Sequence, residues 1–369
     1  MIVPRLYEAW ATDFSQNGIG PLSDAIECRV TQSQGASLLE MKYPVSGRLF
    51  EELQSMRIIC AQPEPDAKPQ PYSIYKMKKA SNGIVSVYAR HVCYNLDGWV
   101  VAPFSAPGLS EALTKLKENR IPSEAFSENA VQQKKYSFKF IFETTTTKYG
   151  SFSFDKPLDI WSLIGKTSGS LLEAFGSEVE FDEYTIRFVE RRGQDRSVSV
   201  RYGKNLISLE QEENFAKCYS GVVAFYKPDA NYRFAPVNVP GKHPISRALP
   251  VDMSDSSWAV ENYPDLVEKA RKYILDNNVG QPEVSLTVKI SSLRNSKDYG
   301  DVEQLEKISF GDTVHVYFPN LEITSSARVS KTVYDCLRAR YDSIDIGSEK
   351  KNAADVIENQ QRQINRLKN

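Results

Sequence analysis

The chain is poor in the residues from which reactive centres are usually built. It holds only 3 histidines and 5 methionines in 369 residues. Its 5 cysteines, Cys28, Cys60, Cys93, Cys218 and Cys336, are scattered, and no two have the CxxC spacing of a zinc or redox site. An odd, dispersed set excludes a disulfide framework and fits free thiols in a reducing cytoplasm. Neither sign of charge dominates: 46 Lys and Arg face 47 Asp and Glu, for a net charge of −1. Nothing global therefore draws the chain to nucleic acid or to an anionic membrane. No apolar run approaches the ~20 residues needed to span a bilayer. Met1 to Phe14 has no basic stretch followed by an apolar one, so no secretory signal is read there; export is expected by lysis. Nucleotide and hydrolase signatures such as GxGxxG, GxSxG and HExxH are also missing, and Gly203-Lys204-Asn205 lacks the frame of a phosphate loop. No cofactor and no metal are expected.

What is present is ordinary globular material with a β bias. Hydrophobic residues make up 41% and charged residues 25%, and the length is right for about two to four domains. The 19 Tyr and 17 Phe favour strands, where rings pack on a pleated, half-buried surface. Asp24 to Val30 alternates apolar and polar residues, Ser37 to Tyr43 is a second strand, and Ile58 to Ala61 is a short buried one. A proline-rich link, Gln62 to Pro71, follows. Tyr72 to Met77 and Gly83 to Arg90 flank Ser81-Asn82-Gly83, predicting a hairpin with a tight Asn-Gly turn.

After Pro107, Ser110 is placed to cap a helix reaching Lys117. Tyr136 to Phe142 has phenylalanines at alternate positions, Leu158 to Phe175 is amphipathic and broken near Gly165 and Gly169, and Glu178 to Val189 reads as a hairpin turning at Asp182-Glu183. Further strands are expected over Ser197 to Tyr202 and Gly221 to Tyr226. Asn262-Tyr263-Pro264 opens a helix to about Asp276, with proline in the first turn. Clean alternation returns over Glu283 to Ile290 and Gly311 to Phe318, followed by strands over Ala327 to Tyr334 and Tyr341 to Ile346. The last stretch, Ser348 to Asn369, spaces Ile357, Ile364 and Leu367 as in a short coiled coil.

Three clusters bear on chemistry. His91 and Cys93 share one strand face, the geometry of a Cys–His pair, but nothing around them resembles a cysteine-hydrolase nucleophile, and a hydrogen-bonded structural histidine is expected. His243 and His315 have no metal-ligand spacing. Glu178, Glu180, Asp182 and Glu183 form an acidic patch; paired carboxylates serve glycoside hydrolysis, yet a polar hairpin face is the simpler reading. Arg191, Arg192 and Arg196 around Gly193 form a basic loop, either a clamp for a phosphate or a partner carboxylate, or a solvated turn, the latter being the expectation.

Several blocks in order carry a resemblance. Tyr72-Ser-Ile-Tyr-Lys and Val87 to Gly98, Gly169 to Gly176 with Phe181 to Ile186, Arg192 to Arg196 with Arg201 to Leu206, and Gly311 to Val316 with Arg328 to Lys331 and Arg340 to Gly347 together resemble the phage minor structural protein family, also called prophage endopeptidase tail or tail-associated lysin. The resemblance spans nearly all of residues 20 to 347. It implies an α+β, β-rich, multidomain fold like that of a baseplate hub, with two small β-barrel domains and inserted α+β domains. The corresponding division is a first barrel at 1–105 with a return segment near 200–250, an inserted α+β domain at 106–200, a helical connection at 251–280, a second barrel at 281–347 and a stalk stub at 348–369. It further implies a structural protein of the virion tail tip, assembled in the bacterial cytoplasm. Its expected partners are two more copies of itself, the distal tail protein ring, the tape measure protein and tail fibre or receptor-binding proteins, with DNA passing through the lumen. The lytic module that usually follows this region is not expected here, so no enzyme activity and no catalytic residues are assigned. The competing readings are a cell-wall peptidase using Cys93 and His91, and an aromatic carbohydrate-binding module.

Overall fold

A computed structural model describes residues 3–33, 36–122, 139–166, 169–201, 206–216, 218–241, 243–254, 258–290, 308–318 and 323–347. The expected stalk stub, most of the strand over 136–142 and residues 202–205 therefore lie outside the described residues. The chain divides into two units, one made of residues 1–209 and 287–369 and the other of 210–286.

Unit 1 begins with seven strands: β1 (Arg5–Tyr7), β2 (Gly20–Pro21), β3 (Glu27–Ser33), β4 (Ala36–Pro44), β5 (Ile58–Ala61), β6 (Gln70–Lys79) and β7 (Ile84–His91). Their alternation is the one visible in the sequence: β3 and β7 bury every second residue, and β5 is buried throughout. The β6–β7 hairpin forms, but its turn is longer than the two-residue Asn-Gly type. Only Gly83 adopts positive φ (74°), while the Asn82 side chain accepts a hydrogen bond from the Ile84 amide at 3.1 Å. That side-chain bond substitutes for the left-handed conformation at Asn82.

The chain then passes through a 3-10 turn at Val92–Gly98 into the inserted region. Here lie β8 (Val100–Val101), β9 (Ser105–Ala106), the helix Leu109–Glu118, β10 (Ile141–Thr144), β11 (Phe152–Ser153), β12 (Leu158–Asp159), the short helix Leu171–Ala174, β13 (Glu178–Asp182) and β14 (Thr185–Val189). The first helix starts at Leu109 with Gly108 as its cap, so Ser110 lies inside it and not at its cap. β14 pairs antiparallel with β13 and parallel with β10. The region's core is aromatic: Trp99 packs edge-on against Phe140 (5.3 Å), Phe140 against Tyr184 (5.2 Å) and Tyr94 against Trp161 (4.6 Å).

Strands β15 (Asp195–Arg201) and β16 (Leu206–Asn214) carry the chain into unit 2, and β20 (Glu283–Ile290) brings it back. Between them, β17 (Gly221–Tyr226), β18 (Arg233–Asn238) and β19 (Ala248–Asp252) form a three-stranded sheet ordered β18-β17-β19. The helix Tyr263–Asp276 begins as its sequence predicts: Asn262 caps it by accepting from the Asp265 amide at 3.0 Å, with Pro264 in the first turn. Its residues Leu266, Ala270 and Ile274, spaced four apart, share a buried core with Val222, Ala224, Ala235 and Val237. Residues 210–250, expected to return to the first barrel, and this helix, expected as a connection, thus share one small core.

Back in unit 1, β21 (Thr313–Phe318), β22 (Ile323–Asp335) and β23 (Arg340–Gly347) complete a thirteen-stranded sheet. Its main order is β16-β20-β23-β22-β3-β4-β7-β6-β5-β1-β2, with β15 and β21 attached through β22. The seam is the antiparallel pairing of β22 with β3, from Lys331 opposite Ser33 to Asp335 opposite Arg29. Tyr334, Val30, Leu39, Ala89 and Ile74 stand in one row across five strands, each at most 1% exposed. Burying each large aliphatic member contributes about 1.5–3 kcal/mol. A one-residue slip of β22 would turn its whole apolar set to solvent, which fixes the register of the seam.

Candidate functional site

Four sequence-distant segments meet where the inserted region rejoins the large sheet. Gly193 and Gly311 sit in two turns with φ of 76° and 91°, and each turn fills the space that a side chain on the other would need. A Cβ on Gly193 would stand 2.1 Å from the Gly311 carbonyl carbon and 2.3 Å from the Asp312 nitrogen. A Cβ on Gly311 would stand 2.9 Å from the Arg192 carbonyl oxygen. Only glycine provides both the left-handed backbone and this approach.

Charge-assisted hydrogen bonds hold the turns together. The Asp312 carboxylate, 1% exposed, accepts from the amides of Gln194 (2.6 Å) and Ser309 (2.9 Å) and from Arg196 Nε (3.0 Å). Arg328, on β22, places Nη1 and Nη2 at 2.6 and 2.5 Å from the two oxygens of Glu178. The same guanidinium donates to the carbonyls of Gly311 (3.0 Å) and Arg192 (2.9 Å). Glu178 also accepts from the Arg192 amide at 2.9 Å. Partial burial pushes the Glu178 carboxyl upward, but the bonds from Arg328 and from the Arg192 amide outweigh it, and its pKa lies below the usual value. The Arg192 guanidinium lies 4.6 Å over the Phe310 ring and reaches Gln32 on β3 at 3.4 Å.

The basic loop is therefore neither a solvated turn nor an open anion clamp. Its arginines are engaged within the chain: Arg192 as described, Arg196 with Asp312, and Arg191 with Asp195 at 3.3 Å and with Thr313. The acidic patch is resolved in the same way. Glu178 pairs with Arg328, Glu180 lies 4.0 Å from Arg187, and Lys68 pairs with Glu183 at 2.8 Å and lies 4.0 Å from Asp182. Each carboxylate has its own cation, an arrangement for holding parts together and not for sharing a proton across a bond to be cleaved. Sequence reading missed Arg328 and Asp312 as partners of this loop. Their signal was the matched Arg192-Gly193-Gln194 and Phe310-Gly311-Asp312 turns, each with glycine beside a hydrogen-bonding residue.

His91 and Cys93 are both fully enclosed. The His91 ring stacks on Phe181 (5.1 Å between centroids) and lies edge-on to Tyr72 (5.7 Å). Its Nδ1 accepts from the Cys93 amide at 3.4 Å, and Nε2 lies 3.2 Å from Gln70 Oε1. The ring is thus neutral with its proton on Nε2, and burial lowers its pKa to about 3. The Cys93 thiol donates to the Glu183 carbonyl at 3.4 Å, and burial pushes its pKa well up. Neither a thiolate nor a free imidazole base forms here. Among the described residues no group of three or more His, Cys, Asp or Glu side chains is arranged to hold a metal ion.

Residues 254–357 match the family model described as prophage endopeptidase tail. No curated protein matches the sequence. Among solved structures, the fold is similar to that of the prophage tail protein gp18 from Listeria monocytogenes EGD-e, with a TM-score of 0.57 at 13% identity over 100% of both chains. The tail protein from Neisseria meningitidis MC58 is similar with a TM-score of 0.55 at 11% identity, over 94% of this chain and 96% of that one. The 43 kDa tail protein of prophage MuSo2 from Shewanella oneidensis gives 0.55 at 10% identity, over 87% and 93%. The sequence match in the last third and the β-rich fold of the whole agree, and the chain is of the phage tail protein family.

Proposed function

We propose that this chain is the structural hub at the tip of a long-tailed phage or prophage tail. Three copies form a ring that adapts a sixfold tail tube to a threefold tip and surrounds the path of DNA ejection. The observation that carries this reading is the seam between β3 and β22. It brings the N-terminal and C-terminal strand sets of one polypeptide side by side in one sheet. A chain carrying two such strand-rich modules supplies six of them when three copies close, which is what a threefold object needs to meet a sixfold one. The interlocked glycine turns serve the same end by fixing the inserted region to the sheet, so that a load at the tip is passed on without a hinge.

On this reading the distal tail ring contacts the rim of the ring, the tape measure protein and tail fibre or receptor-binding proteins are its other neighbours, and DNA passes without sequence-specific contact. Its role is mechanical, and His91 and Cys93 are core residues. Light scattering on the purified chain, alone and with its distal ring partner, combined with electron microscopy, tests the proposal. A ring of three with a central hole is expected. A particle that stays monomeric with the partner present overturns it.

A further inference from the structure

Two open edges of the large sheet carry opposite charge. β6 pairs with β5 only from Gln70 to Ser73, whereas its pairing with β7 continues to Lys79. Among the described residues, Tyr75 to Lys79 therefore has β7 on one side and no strand on the other. Lys76, Lys78 and Lys79 are exposed along it, and Tyr75 is 48% exposed. The ammonium groups of Lys76 and Lys78 lie 5.1 and 5.8 Å from the ring centre of Tyr88, which places both on one face. At the other end of the sheet order stands β16, which among the described residues pairs only with β20. Its exposed residues include Glu210, Glu212 and Glu213.

An edge strand rich in one charge repels a second copy of itself, which is how natural sheets avoid edge-to-edge association. Here the two edges differ in sign. Lysine edge against lysine edge and acidic edge against acidic edge are both disfavoured, while lysine against acid is favoured. The spacing matches as well: Glu210 and Glu212 are two apart, as are Lys76 and Lys78, so both pairs meet on one face of an extended sheet.

We infer that the open stretch of β6 in one copy takes β16 of the next copy as an added strand, continuing the sheet from copy to copy. Such a contact joins two different surfaces, so it is head-to-tail and closes a ring when the rotation allows. The inference rests on the trimeric reading above and names the surfaces that would hold that trimer.

The test uses the full chain in light scattering over a concentration series at low salt. The variants are Lys76→Glu with Lys78→Glu, Glu210→Lys with Glu212→Lys, and all four together. Each two-residue reversal is expected to weaken association roughly a hundredfold, and the fourfold variant to restore it. Restoration cannot arise from misfolding, which separates a lost contact from a damaged fold. A wild-type trimer unaffected by either reversal, or reversals not rescued by their combination, overturns the inference and leaves the trimeric reading in place. A wild-type chain that stays monomeric under all conditions overturns both.

Discussion

Replacing Gly193 by alanine addresses the glycine interlock with one methyl group. Two costs add. The left-handed backbone at φ 76° disfavours a Cβ by about 1 kcal/mol. The methyl would also stand 2.1 Å from the Gly311 carbonyl carbon, against backbone that no rotamer change can move aside. Overpacking against a rigid neighbour costs about 1–3 kcal/mol. Separating the turns also stretches the 2.6 Å bond from the Gln194 amide to Asp312, worth about 1.5–3 kcal/mol because its acceptor is charged. The sum is about 4–6 kcal/mol, reduced to about 4 if the turns part only slightly. At about 2–4 °C per kcal/mol for a body of this size, the melting temperature of unit 1 falls by roughly 8–16 °C. Gly169→Ala is the matched control, because Gly169 has φ 73° with no atom within 4 Å of its added Cβ. It carries the backbone cost alone, about 1 kcal/mol. Differential scanning calorimetry on the two variants decides. If Gly193→Ala melts where Gly169→Ala melts, the turns are not interlocked.

Further outcomes follow from the surrounding geometry. Glu178 has a lowered folded-state pKa, so its stabilisation is complete above its unfolded value near 4.5 and is lost as pH falls through the folded value; the melting difference between wild type and Glu178→Gln should be constant from pH 7 to 5 and shrink below it. For His91, whose pKa falls from 6.5 to about 3, folding loses stability as pH drops from 6.5 towards 3, since only the unfolded chain takes up the proton. Its imidazole NMR signals should keep their neutral shifts between pH 8 and pH 4.5; titration in that range would show the ring open to water. Asn262→Ala removes the helix cap in unit 2 and should cost about 0.5–2 kcal/mol there, with amide exchange in unit 1 unchanged.

Local signals were legible in the sequence because their causes are local. The helix after Asn262 is specified by a side-chain cap and a proline within three residues, and β3, β5 and β7 by alternation or a short apolar run. The β6–β7 hairpin was readable, but its turn type was not, because the bond between the Asn82 side chain and the Ile84 amide competes with the usual Asn-Gly geometry. The candidate site was hidden for a different reason. Arg192 and Arg328 look like surface charges until β22 reaches β3 and brings residue 328 beside residue 178, 150 positions away. Periodicity carries no information about such pairings. Two small helices were also misplaced at their edges: Gly108, not Ser110, begins the first, and the amphipathic stretch from Leu158 forms β12, a π turn and one short helix.

The β3–β22 seam sets a timetable. While the chain is being made, β3 waits with one bare side until residue 335 has left the ribosome, about three hundred residues after β3 itself. The large sheet is therefore a post-translational product, and a prematurely terminated polypeptide keeps its central strand exposed. Such a fragment cannot present a finished rim. Completion of synthesis thus acts as a checkpoint, admitting only whole chains to assembly and leaving broken ones to proteolysis.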